Sequence, residues 1–172
     1  GMTESYNKVL HPMLVRIGVL WTTAELIPSQ EHFISSLVKQ KLAASIETLV
    51  VEPTGDKWVL FLPDQEEHEI GLLNAYYHIK AIGGHVYYLG PKVPLENIDH
   101  IVDTINPQHL LFFLIRKTSI QESQDFIDEL SKYRNLEVTM CCTNDTGEGL
   151  KLHKNQYVVY SYNQFLDRIK KK

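Results

Sequence analysis

Apolar positions in the first fifty residues recur at helical spacing. Val9, Leu10, Met13, Leu14, Ile17 and Trp21 form one stripe, and Phe33, Ile34, Leu37, Val38 and Leu42 form a second. Steps of three and four residues put such side chains on one face of a helix. The spacing predicts a helical hairpin from residue 5 to about 49, broken at 24–29, where Pro28 suits the first turn of a new helix and Ser29 is a candidate cap. Two helices with apolar stripes must bury them against another layer, further helices or a second copy.

Residues 51–57, with Glu52, Pro53, Thr54, Gly55 and Asp56, interrupt this pattern with turn formers and charge and read as a linker. Beyond it short apolar runs at 58–62, 85–89, 110–115, 136–140 and 157–160 predict strands. Helical stretches fall between and after them, near 67–82, 94–105, 119–133 and 163–170. Strands alternating with helices imply right-handed crossovers and a parallel sheet covered on both faces. The predicted fold is α/β, a flavodoxin-like doubly wound five-stranded parallel sheet preceded by an N-terminal helical hairpin. It divides into a helical bundle segment (1–50), a linker (51–57) and a doubly wound domain (58–172). Ligands of such sheets bind beyond the carboxyl ends of the strands where strand order reverses, so the loop at 63–67 is the first candidate site.

Composition narrows the function classes. Lys+Arg 17 against Asp+Glu 21 gives a net charge of -4, which offers no basic surface for strong phosphate-backbone binding. The basic run Lys170, Lys171 and Lys172 reads as a solvated tail. The two cysteines, Cys141 and Cys142, are adjacent, a poor geometry for a disulfide and no zinc spacing, which suits a reducing cytoplasm. No apolar run reaches the roughly 18 residues that cross a bilayer, and Gly1 ahead of Met2 reads as the scar of a cleaved tag. Tyr76, Tyr77, Tyr87 and Tyr88 are expected in packing, whereas His11, His78, His100, His109 and His153 are expected at the surface.

The candidate loop contains Glu66, His68 and Gly71 in an E-x-H-x-x-G pattern. Read locally, it is either a solvated polar loop whose Glu66, Glu67 and Glu69 favour a helix dipole, or a place where an imidazole is held by a carboxylate two residues earlier. The pattern resembles the D/E-x-H-x-x-G of cobalamin-binding domains, followed here by Gly83-Gly84-His85 and Val93-Pro94, similar to that family's second strand and turn. A second signature lies in the hairpin, where Trp21, nine residues, then Glu31 and His32 reproduce W-x9-E-H. Alone, these three read equally well as a core anchor and two polar residues of a first helical turn. Together the signatures resemble MerR-family transcriptional regulators of the CarH/LitR type, specifically their cobalamin-binding sensor region.

That resemblance implies a cobalamin cofactor, as adenosylcobalamin or methylcobalamin, with His68 as lower axial ligand to cobalt, Glu66 holding its other ring nitrogen and Gly71 letting a helix start close to the ligand. It implies Trp21, Glu31 and His32 on the upper face of the corrin. Three positions depart from the family pattern. Thr22 stands where light-responsive members carry a histidine; Phe112, Phe113 and Leu114 replace a small Ser-x-Leu element; and Cys141, Cys142, Thr143 and Asn144 replace a Gly-Gly. The last two are places implied to line a tunnel for the cofactor's nucleotide tail, so Phe113 and Cys142 join the candidate binding residues and the tunnel is expected to be partly filled. Side chains alternate along a strand, so only one of Phe112 and Phe113 should face it.

The resulting expectation is a non-enzymatic, cytoplasmic sensor and oligomerisation module. Its DNA contact would come from an N-terminal helix-turn-helix outside these 172 residues, and no membrane contact is expected. Two alternatives remain: a degenerate sensor without cofactor that binds proteins, and a cobalamin-carrying methyltransferase subunit.

Overall fold

The computed structural model describes Glu4, residues 6–22 and residues 27–170, with the side chains of 7, 18, 19, 21 and 22 outside that description. It divides into two compact units, Gly1–Leu49 and Val50–Lys172. In the first, a π-helical turn Tyr6–Leu10 runs into helix α1 (His11–Thr22), and helix α2 spans Pro28–Glu47. Pro28 occupies the first turn of α2 as its fixed φ requires. The cap differs from expectation. Ile27, not Ser29, is the capping residue, because the residue before a proline is held extended, and the Gln30 side chain accepts the Ile27 amide at 3.2 Å. The buried stripe of α2 is Val38, Leu42 and Ile46, four residues apart, while Phe33 and Leu37 of the predicted stripe are exposed.

The second unit alternates strands β1 (Lys57–Pro63), β2 (His85–Val93), β3 (His109–Leu114), β4 (Glu137–Cys142) and β5 (Gln156–Val159) with helices α3 (Glu69–Ala81), α4 (Glu96–Ile105), α5 (Ile120–Glu129), α6 (Asn144–Gly147) and α7 (Tyr162–Lys170). All four strand pairings are parallel, and the order is β2-β1-β3-β4-β5, the flavodoxin-like doubly wound arrangement predicted. Only the four-residue α6 has no counterpart in the predicted elements, being shorter than the window in which a helical period can be read.

Alternation along the strands divides the core between the two faces of the sheet. Val59, Phe61, Leu110, Phe112, Val138 and Met140 meet Ile98 of α4 and Ile127 of α5 on one face. Trp58, Leu60, Leu62, Leu111, Cys141 and Val159 meet Leu72, Ala75 and Ile79 of α3 and Phe165 and Ile169 of α7 on the other. Strand order reverses between β1 and β3, so the loops leaving these two strands flank the crevice where a ligand is expected.

Candidate functional site

Pro63 ends β1, and the chain turns through Asp64 and Gln65 before Glu66 points back into the protein. Glu66 is fully buried, an unusual position for a carboxylate that demands complete hydrogen bonding. It receives it. Oε1 accepts the amides of Glu67 and His68 at 2.8 and 2.9 Å and pairs with the Nδ1 of His68 at 2.5 Å. Oε2 accepts the amides of Ile115 and Arg116, at 2.6 and 2.8 Å, from the loop leaving β3. One side chain thus ties together both loops of the strand-order reversal. Burial would raise its pKa, but the His68 ring, the Arg116 and His68 amides and the His68 charge outweigh that and pull it down to about 2.

His68 directly precedes α3 and its side chain is 60% exposed. With Glu66 accepting from Nδ1, the proton of a neutral ring sits on that nitrogen and Nε2 is its acceptor atom. That is the chemistry a transition-metal ligand needs. The loop is also held from the β2 side, where Lys92 pairs with Glu67 at 2.6 Å and the Tyr88 hydroxyl donates to Glu69 at 2.9 Å.

Gly71, in the first turn of α3, meets Phe113 of β3. A Cβ on Gly71 would lie 2.5 Å from the Phe113 ring, so the glycine is required by the phenylalanine that already occupies the space. Phe112 points the other way, fully buried with ring centroids 5.5 Å from Phe61 and 5.0 Å from Phe126. Its neighbour across the strands follows the same alternation. Cys141 pairs in register with Phe113 and shares its face, whereas Cys142 lies on the Phe112 face, where a Cβ on Gly147 would come within 2.6 Å of its Sγ. Phe113 and Cys142 are therefore not brought together. Both thiols are buried and unpaired in any disulfide, and burial pushes Cys142 up to about 11 and Cys141 higher still, the state of packing residues, not of reactive nucleophiles.

In the first unit Trp21 lies in the last turn of α1, with its side chain outside the described residues, and Thr22 ends that helix. Glu31 and His32 share the first turn of α2, their Oε2 and Nδ1 3.2 Å apart, with His32 largely exposed. Among the described residues no group of three or more His, Cys, Asp or Glu is gathered to hold a metal ion by itself, and no helix is long and apolar enough to cross a membrane.

Two histidines expected at the surface are buried. His109 opens β3 stacked on Trp58 at 3.9 Å, with Nε2 2.9 Å from Asp56. His78 of α3 pairs with the Tyr162 hydroxyl of α7 at 2.5 Å, and burial followed by the Lys170 charge lowers its pKa to about 4. Tyr162 is also hydrogen-bonded to the side chain of Asn74, a buried residue whose Oδ1 has no partner among the described residues. Sequence reasoning also missed Ile115 and Arg116, since any residue can donate a backbone amide and no side-chain pattern marks the two that do.

The B12 binding domain family matches residues 2–45, the helical unit. The HTH-type transcriptional repressor CarH of Myxococcus xanthus is 31% identical over 133 residues, covering 76% of this chain and 42% of the repressor. The chain thus resembles a CarH-type repressor over about three quarters of its own length and carries a match to the B12 binding domain family in its helical unit. A second repressor of the same organism, CarA, is 27% identical over 127 residues, covering 73% of the chain and 42% of its own length, so the chain spans well under half of either relative. The fold is shared with the monomethylamine corrinoid protein of Methanosarcina barkeri at a TM-score of 0.69 and 13% identity, over 92% of this chain and 78% of that one. A cobalamin-binding protein of Desulfitobacterium hafniense DCB-2 aligns at a TM-score of 0.51 and 17% identity, over 91% of this chain and 75% of its own.

The residues present fit part of a cobalamin and not all of it. Glu66 and His68 provide an oriented imidazole at the crevice, as a lower axial ligand requires. The end of β3, which family resemblance assigns to the nucleotide tail, has its space beside Gly71 filled by the Phe113 ring.

Proposed function

We propose that this chain is the ligand-sensing and oligomerisation region of a MerR-type transcriptional regulator, binding a cobalamin-type corrinoid with His68 as lower axial ligand to cobalt. The observation that carries the reading is the Glu66–His68 pair at the strand-order reversal, where a buried, fully hydrogen-bonded carboxylate orients an exposed imidazole. A corrinoid held there by His68 would supply a cobalt centre able to take a nitrogen ligand. Glu66 sets the tautomer of His68 and the two loops it ties hold the ring in place, while family resemblance makes Trp21, Glu31 and His32 the candidates within the helical unit.

A ligand bound more tightly by one oligomeric state than by another shifts self-association, which is how sensing would reach DNA. Contact with DNA belongs to a helix-turn-helix outside these residues, in keeping with the net charge of -4 here and with relatives that are HTH-type repressors. The regulator is cytoplasmic in this reading and performs no catalysis, so no catalytic residue is assigned.

Mixing the purified chain with methylcobalamin, desalting and recording the visible spectrum tests this. Retained colour in the wild type that is lost in a His68→Ala variant shown to be folded by circular dichroism supports the reading; the variant removes one partner of the buried Glu66 carboxylate and should lose about 2 kcal/mol of stability. Phe113 against Gly71 favours a second reading, a cofactor-free protein-binding module. A wild type that retains no corrinoid at all would decide for it.

A further inference from the structure

Beside the sheet-packed Leu72, Ala75 and Ile79, a second stripe of α3 runs through Gly71, Asn74 and His78, spaced so that all three share one face of the helix. It is closed at both ends. At the ligand end the Phe113 ring packs onto Gly71 closer than any side chain there would allow. Further along, Tyr162 reaches from α7 to His78 at 2.5 Å and to the Asn74 side chain, clasping the two helices together. Cys141, in register with Phe113, fills the same face from β4. The polar loop that presents His68 therefore adjoins a slot occupied by the protein's own side chains.

Cobalamin carries a nucleotide tail whose base can coordinate cobalt from the lower face, the face that His68 must take. Because the base is tethered, it competes with His68 at a high effective concentration. A protein histidine displaces it at low cost only where the released base has somewhere favourable to go. Here insertion would require the Phe113 ring to leave a close-packed contact. A corrinoid without the tail presents only solvent on its lower face, and His68 meets no tethered competitor.

We infer that this site selects corrinoids by their lower side, taking the tail-less cobinamide class ahead of cobalamin itself, with Phe113 as the residue that sets the choice. The inference rests on the corrinoid-binding reading above and adds to it the form of ligand.

Equilibrium dialysis in the dark of the 172-residue chain against methylcobinamide and methylcobalamin, which share an upper ligand, measures the preference directly. The wild type should hold methylcobinamide about tenfold more tightly, and Phe113→Ser should strengthen methylcobalamin binding by about tenfold while leaving methylcobinamide unchanged. Phe113→Leu, which keeps most of the bulk and guards against a serine variant that misfolds, should retain the wild-type preference. Equal or tighter binding of methylcobalamin by the wild type would overturn the inference and leave corrinoid binding intact, as would a serine variant, folded by circular dichroism, that shifts both ligands equally. Failure of the folded wild type to bind either corrinoid overturns both readings.

Discussion

Two regions less than one turn of α3 apart are built on opposite principles. At the loop before α3 the fully buried Glu66 carboxylate collects the amides of Glu67, His68, Ile115 and Arg116 together with the His68 ring. In the first turn of the helix, Gly71 and Phe113 meet through apolar contact alone. A buried polar network is costly unless every member is satisfied, and when satisfied it fixes one geometry. Apolar packing is indifferent to direction and serves to exclude whatever else the space could hold. The first region orients a group toward solvent; the second closes a space. The difference teaches that resemblance to a ligand-binding family passes to a chain piece by piece, since the orienting half of a site can persist beside a filled half.

The comparison is broken most severely at Glu66. Glu66→Ala leaves four amides of two loops without their acceptor and removes the anchor that joins those loops, and should cost on the order of 4 kcal/mol in urea unfolding. If the buried carboxylate is held by its network, the loss should exceed that of His68→Ala, which removes one partner and leaves the four amides their acceptor.

Acid separates the two regions by pH. Glu66 has its folded pKa lowered from 4.5 to about 2, so its stabilisation is fully present above pH 4.5 and is lost as pH falls toward 2. His78, in the clasped slot, has a folded pKa lowered from 6.5 to about 4, so the unfolded chain takes up a proton first and stability declines as pH falls from 6.5 to 4. Each window should span about 3 kcal/mol. Denaturation midpoints measured from pH 7 to pH 2 should show both declines, Glu66→Gln flattening the lower and His78→Gln the upper. A single decline unaffected by either variant would contradict the assignment.

The gentlest test addresses the closed slot by itself. Gly71→Ala forces a methyl group against the Phe113 ring and should cost about 2 kcal/mol. In a Phe113→Ala background the same substitution should cost little, because the atoms it would strike are gone. The double-mutant cycle therefore reads the contact directly, and an unchanged cost would show that Gly71 is constrained by something other than Phe113.

Much of this was legible in the chain, and for local reasons. The periods of two and of about 3.6 gave the strands and all but the shortest helix, because burial on one face imposes them wherever the element is long enough to repeat. Glu66 and His68 are two residues apart, so their pairing needs little beyond the loop itself. Alternation likewise separated Phe112 from Phe113 in advance. His78 and His109 were misread as surface residues because a histidine's burial depends on partners, Tyr162 and Asp56, that lie 84 and 53 residues away.

What the sequence determined by itself was the order and kind of the elements, a resemblance to cobalamin-binding regulators, and the presence of an imidazole and a carboxylate on the loop after the first strand. What only the tertiary structure decided was the use of that loop. The parallel pairing of β1 with β3 brings the Ile115 and Arg116 amides to the second oxygen of Glu66, 49 and 50 residues along the chain. The packing of α3 on the sheet presses Phe113 onto Gly71. Both are contacts across long separations, one to backbone atoms that every residue possesses and one between shapes that no spacing encodes, and so neither leaves a pattern along the chain.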